Sequence, residues 1–202
     1  MIRLALLLTL AAAAPAHAAG PPDPDWPCIQ RRQPSLSLGQ VWAGPQPDAA
    51  VEALARTPQV DDLARTIALR RTGMDEAQAM IDAFAEDADA ARLTALYAAT
   101  LHHINVARDR VMGGITRYAH KQEALEREIE ALRRDFAEAD AAAPRDFDRI
   151  DDLERRIDWS TRIFQDRQQS LTYVCETPVI LEQRAFALGR AVAAHLPADP
   201  AQ

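Results

Sequence analysis

From Tyr97 onward the apolar positions step by four and three without a slip. Tyr97, Leu101, Ile104, Val111, Ile115, Tyr118, Leu125, Ile129, Leu132 and Phe136 lie in one register, and Arg108 and Gln122 occupy two places in it. A repeat of this length predicts a long helix with one apolar seam. It begins near Asp89 and ends before Pro144, in the turn Ala141-Ala142-Ala143-Pro144-Arg145. At a rise of 1.5 Å per residue it is about 65–75 Å long. A second helix starts near Asp146, with Phe147, Ile150, Glu154, Ile157, Thr161, Phe164, Gln168, Leu171 and Cys175 as its seam. So short a turn folds the two helices back antiparallel, as a coiled-coil-like hairpin over about 89–176. Centring the hairpin near Ala142 sets Leu132 against Ile150 and Glu154, Leu125 against Ile157, Tyr118 against Phe164 and Ile115 against Gln168. Thr177-Pro178 either kinks the second helix or caps a last one, Val179 to Leu196.

Three shorter amphipathic stretches precede the hairpin. Asp48 caps a helix to about Arg56. Thr57-Pro58 opens a second, which runs to about Arg71 and presents Val60, Leu63 and Ile67. Asp75 begins a third, with Ala77, Met80, Ile81 and Phe84 on one face. Each is too short to persist alone and must pack on something larger. Before them, residues 19–47 hold seven prolines, Pro21, Pro22, Pro24, Pro27, Pro34, Pro45 and Pro47. A long helix is excluded there. Trp26, Ile29, Leu36, Leu38, Val41 and Trp42 are nevertheless more anchors than a disordered tail carries, so the segment is expected to lie as an extended strap, with one helical turn over Ser37–Trp42. The fold class is all-α: three short helices and a C-terminal helix packed on the hairpin, with residues 48–202 as one domain.

The first residues change the setting. Met1-Ile2-Arg3 is followed by the apolar run Leu4–Ala14, the breaker Pro15 and the small-x-small triplet Ala16-His17-Ala18. This predicts a cleavable signal peptide over 1–18, a mature start near Ala19 and a periplasmic destination. Cys28 lies too far past the cut, after Trp26-Pro27, for a lipid anchor. No later run spans a bilayer, since Glu182, Arg184 and Arg190 interrupt Pro178–Leu196. The chain carries a formal charge of −7, and losing Arg3 makes the mature protein more acidic still. Nucleic acid and anionic lipid are thereby excluded as partners.

In an oxidising compartment the two cysteines, Cys28 and Cys175, are expected to pair as a structural disulfide tying the strap to the end of the hairpin far from its turn. Arg108 occupies a seam position, where a guanidinium must be paired or must reach solvent. The expected register sets it opposite Cys175 and Glu176, which gives an Arg108–Glu176 ion pair. The alternative is an anion site with Arg108 free. The mid-helix pair Gly113-Gly114 implies either close packing under Leu171 or Tyr173, or a hinge. His102 and His103 point to different sides of the first long helix, and neither has a carboxylate at metal-ligating helical spacing, so no metal and no cofactor is expected. No phosphate loop or nucleophile elbow occurs, and a non-enzyme is expected.

Asp25-Trp26-Pro27-Cys28-Ile29-Gln30-Arg31, continuing to Val41-Trp42-Ala43-Gly44-Pro45, resembles the start of a family of uncharacterised exported proteins from alphaproteobacteria. The resemblance implies export and lends no activity. The Leu-Thr-x-x-Gln repeat of small periplasmic stress chaperones is absent, since Leu93-Thr94-Ala95-Leu96-Tyr97 lacks the glutamine. The expected function is a non-catalytic interaction or scaffold protein whose hairpin docks an envelope protein through tip residues Phe136–Phe147, with the seam also able to pair between copies as a homo-oligomer. The alternative is a small-ligand or metal-binding protein with a pocket lined by Trp26, His102, His103 and Arg108.

Overall fold

Two helices, α5 (Ala90–Ala141) and α6 (Phe147–Ala193), form an antiparallel pair that carries the rest of the chain. The computed structural model describes Asp23 and residues 25–197. The predicted signal peptide and the start of the Pro-rich segment lie outside the described residues. Four shorter helices precede the pair: α1 (Leu38–Val41), α2 (Ala49–Ala55), α3 (Pro58–Ala68) and α4 (Met74–Ala85). No strand occurs among the described residues.

Local chemistry sets most of the helix ends. Asp48, Asp89 and Asp146 each accept a bond from a backbone N–H three residues on and so cap α2, α5 and α6. Pro58 stands at the first turn of α3, where its missing N–H costs nothing. Thr57 spends its hydroxyl on the Leu54 carbonyl, joining the end of α2 to the start of α3. Before α2, α1 is the only regular element between Asp25 and Asp48, at the place where one helical turn was expected. Of the two alternatives at Pro178, the separate last helix is the one not found. The helix neither stops nor restarts there, and residues 179–193 continue α6. Proline inside a helix removes one backbone bond and costs about 3 kcal/mol. The buried contacts of α6 with α5 on both sides of Pro178 outweigh that cost.

The core is concentrated at one end. Leu93, Leu96, Tyr97, Leu101 and Ile104 of α5 meet Leu181, Ala185, Leu188 and Val192 of α6, and α3 adds Val60, Ala64 and Ile67. Leu36, Val41 and Trp42 close this base from the N-terminal side, with Trp42 stacked on Tyr97 at 4.6 Å between ring centroids. Asn105 fastens the same stretch. Its amide oxygen accepts from the Leu36 N–H and its amide nitrogen donates to the Leu36 carbonyl, both at 2.9 Å. Towards the turn, a separate cluster of Leu132, Ala139, Ile150 and Leu153, flanked by Phe136 and Ile157, contains residues of α5 and α6 alone.

The seam of α5 falls where the repeat placed it, but that of α6 does not fully do so. Ile150, Ile157, Phe164 and Leu171 belong to it; Phe147, Glu154 and Gln168 are exposed. Leu153 and Ser160 are buried in their stead, and Val174 is half-buried. The true steps run three then four from Ile150, where four then three was expected.

Gly113-Gly114 also departs from expectation. A Cβ built on Gly113 meets only the end of the Arg117 side chain, at 3.4 Å, and one on Gly114 meets the same guanidinium at 3.9 Å. Tyr173, one of the two residues expected to cover them, is exposed. Close packing is therefore not what retains the pair. Gly113→Ala and Gly114→Ala should each stabilise the protein by about 1 kcal/mol, the helix-propensity difference, read as a higher urea midpoint. A lower midpoint would show that the extra methyl is not tolerated there.

Candidate functional site

The functional candidates gather on α5, at two levels that face different ways. The first surrounds Arg108, whose side chain is 2% exposed. Nη1 donates to the Pro178 carbonyl at 2.5 Å and Nη2 to the Gln33 carbonyl at 3.1 Å. Glu182 Oε2 lies 3.9 Å from Nη1, and Nε is buried without a partner. Burial pulls the Arg108 pKa below its ordinary value, while the charges of Glu182 and then Asp109 act the other way. The expected Arg108–Glu176 pair is thus replaced by Arg108–Glu182, and Glu176 is exposed.

Side-chain direction explains the exchange. Long helical side chains lean towards their own N-terminus. In an antiparallel pair Arg108 therefore leans towards later residues of α6, Glu182 leans back to meet it, and Glu176 leans away. The same lean carries the Tyr118 hydroxyl to the Arg167 carbonyl at 2.5 Å and the Gln122 amide to the Phe164 carbonyl at 3.2 Å. The apolar layer of Leu132 with Ile150 nonetheless keeps the expected register.

Beside Arg108 the Cys28–Cys175 disulfide joins the N-terminal segment to α6, with Cα atoms 5.6 Å apart. Trp26 is buried against Met112 and Ile115, and its indole N–H donates to the Gln30 carbonyl at 2.6 Å. Arg108, Trp26, Gln33, Met112, Cys175 and Glu182 line a shallow recess that also includes Gln30, Arg31, Pro178 and Val179. It joins Trp26 to Arg108 as expected but contains neither histidine.

His102 and His103 line a different cleft, between α5 and the α2–α3 pair, with Glu52, Ala55, Arg56, Asp61, Ala98 and Ala99. Six residues separate His102 from Arg108, which is about 240° of helix turn, so one pocket cannot hold both. The two imidazoles are not on different sides. Neighbouring positions differ by only about 100°, and the rings stand edge to face at 5.6 Å. His103 Nε2 lies 2.7 Å from Asp61 Oδ1, and Arg65 also contacts Asp61. The hydrogen bond from His103 is the largest cause holding the Asp61 carboxyl below the usual range. A carboxyl depressed in the fold adds stability above its ordinary pKa of 3.8 and loses it as the pH falls. Among the described residues, no group of three or more histidine, cysteine or acidic side chains converges as a metal site.

Three residues with no site signature in the sequence organise the base. Arg184 donates from Nε and Nη2 to the Ile67 carbonyl, at 2.9 and 2.6 Å, and from Nη2 to the Thr72 carbonyl at 2.8 Å. It thereby satisfies an open carbonyl at the end of α3 and one in the turn that follows. Asn105 clamps Leu36, and Gly189 lets the backbone of α6 approach Val41. Each lacks a local signal, because its partner is more than 60 residues away in the chain. No helix among the described residues is long and apolar enough to cross a membrane. No family model, curated protein or solved structure matches this chain.

Proposed function

We propose that this protein is an exported, non-catalytic interaction protein whose hairpin acts as an arm docking a protein partner in the cell envelope. The observation that carries the reading is the apolar cluster towards the turn. It is built from α5 and α6 alone, and Phe147 beside it is 67% exposed. The base already encloses its own core, so the outer turns of the hairpin add nothing to it. An amphipathic helical arm with an exposed aromatic end suits groove or helix recognition. The signal-like N-terminus, the disulfide and the resemblance to exported proteins support the periplasm as its location.

The test is site-specific photo-crosslinking in the periplasm from position 147, with the exposed Glu128 of α5 as control. A discrete adduct from 147 and none from 128 is expected. Replacing Phe136–Phe147 by a short turn should abolish recovery of the same partner, and unchanged recovery would overturn the arm.

A second reading rests on the cleft of about 620 Å³ between α5 and the α2–α3 pair, a volume within the range of small-ligand sites. Its mixture of Glu52, Asp61, Arg56 and two histidines suits a small polar ligand. Native mass spectrometry of protein taken from the periplasm separates the readings, since a retained small molecule favours the cleft.

A further inference from the structure

The disulfide beside Arg108 has an inner and an outer sulfur. Cys175 is 6% exposed and lines the recess with Arg108, Trp26, Gln33 and Glu182, whereas Cys28 is half-buried and does not line it. Around Cys28 the chain stands in solvent: Pro27, Gln30 and Arg31 are exposed, and Ile29 is fully so. A molecule approaching from water therefore meets the Cys28 sulfur first. Attack along the S–S bond from that side expels Cys175 into the recess.

The recess suits a departing thiolate. It is small, about 50 Å³, and its charged groups are Arg31 from the N-terminal segment, Arg108 from α5 and Glu182 from α6. Arg108 is 2% exposed, has Glu182 at 3.9 Å, and keeps its Nε buried without a partner. A buried cation with so distant a counter-charge is poorly compensated. A sulfur anion in the same recess supplies the missing charge, and the guanidinium stabilises that anion in return. Burial of Cys175 opposes this, since desolvation disfavours a thiolate. Opening of the N-terminal segment tips the balance. Once residues 25–33 leave, water reaches Cys175, and Arg108 exchanges the Gln33 carbonyl for the thiolate while the Pro178 carbonyl of α6 still holds its other nitrogen.

We propose that Cys28–Cys175 is a thiol–disulfide exchange site, attacked at Cys28 by a dithiol reductant, with Cys175 as the leaving thiolate and Arg108 as its counter-charge. A thiolate of the reductant bonds to Cys28 Sγ. The Cys28–Cys175 bond breaks, and its electron pair leaves on Cys175 Sγ. The second thiol of the reductant gives its proton to water and attacks the reductant sulfur of the mixed disulfide. The reductant closes as a disulfide, oxidised by two electrons, and Cys28 departs and takes up a proton. The exchange frees residues 25–33 and uncovers Trp26, Met112 and Ile115, a cluster separate from the core of the base. This inference does not depend on the docking role of the tip.

Two measurements on the mature protein test it. Brief exposure of the oxidised protein to excess glutathione, quenched in acid, traps the first adduct, and peptide mapping should find glutathione on Cys28 and none on Cys175. An adduct on Cys175 would overturn the proposal, as would a bond that dithiothreitol opens only together with loss of helical circular dichroism. The leaving group is read in Cys28→Ser, where the segment is already released, by ultraviolet titration of the single remaining thiol. Its midpoint should lie about one pH unit below that of Cys28→Ser/Arg108→Gln, about tenfold in thiolate population. Should Arg108→Gln fail to fold, Cys28→Ser/Glu182→Gln carries the test. It frees the guanidinium of its competing carboxylate, so the midpoint should fall below that of Cys28→Ser. A midpoint that Glu182→Gln leaves unmoved, or that Arg108→Gln does not raise in a folded protein, overturns the proposal. None of these outcomes alters the crosslink expected from position 147.

Discussion

Gly189→Ala is expected to destabilise the protein by about 3 kcal/mol, the upper end of what an extra methyl costs in a packed core. A Cβ at position 189 would stand 2.5 Å from the Val41 carbonyl oxygen and 3.0 Å from both Cζ and Oη of Tyr97. None of these atoms can move cheaply. The Val41 oxygen is backbone and already accepts from the Tyr97 hydroxyl at 3.0 Å, a hydroxyl that also lies 3.0 Å from the Ala185 carbonyl. The Tyr97 ring is fully buried and stacked on Trp42. To admit the methyl, the Leu36–Trp42 stretch must lift from α6, loosening the stack and stretching the hydroxyl bonds together. Urea denaturation measures the loss, and near-UV circular dichroism reports the Trp42–Tyr97 pair. The same substitution at Gly113 is expected to stabilise, so helix propensity predicts one sign for both sites and packing predicts opposite signs. A loss at Gly189 below about 0.5 kcal/mol, the range of uninvolved surface positions, would mean that the backbone approach is not tight.

Which parts of this architecture could be read from the chain follows from the range of the interactions. The helix starts at Asp48, Pro58, Asp89 and Asp146 are local events, each a side chain or a missing N–H acting within one turn, and all four stand where expected. The α5 seam was legible because ten apolar residues repeat in a single phase. The α6 seam was less so. Its middle mixes Ser160, Thr161, Arg167 and Gln168, so a phase that begins with Glu154 looked as good as one that begins with Leu153. Only the facing helix decides between them, by burying Leu153 and leaving Glu154 in solvent.

The candidate sites were legible as residues but not as groupings. Arg108 was conspicuous as a charge in an apolar phase, and it is buried. Its partners are two backbone carbonyls, and carbonyls carry no sequence signature. Trp26 does share the recess beside Arg108, whereas the histidines lie round the helix with α2 and α3, whose docking position no local pattern encodes. Arg184 shows the same limit. It looked like an interruption of an apolar run, and the structure makes it the capping group of a helix more than 100 residues earlier.

Loss of the Cys28–Cys175 bond has the largest expected effect in the chain. Its sequence separation is 147 residues, for which the chain-entropy model gives about 5 kcal/mol as an upper figure and typical removals cost about 2–5. What else holds residues 25–33 is modest: the Thr116 hydroxyl on the Asp25 carbonyl at 3.0 Å, His120 on the Asp25 carboxylate at 2.6 Å, and Arg108 on the Gln33 carbonyl. Both Asp25 contacts involve partly or fully exposed groups and are worth little on their own. Without the disulfide this segment is expected to open locally, uncovering Trp26, Met112 and Ile115, while the base keeps its helices because its core does not include them. Cys28→Ser and Cys175→Ser should therefore each lower the melting temperature by a similar amount, preserve most helical circular dichroism and speed tryptic cleavage at Arg31 and Arg32. The double variant should be no worse than either single variant, since all three lack the same bond. Trypsin digestion with and without reductant, alongside thiol counting on non-reduced protein, makes the measurement. Two free thiols in the exported protein, or equal cleavage in both conditions, would show that the segment is held by its polar contacts and the burial of Trp26 instead.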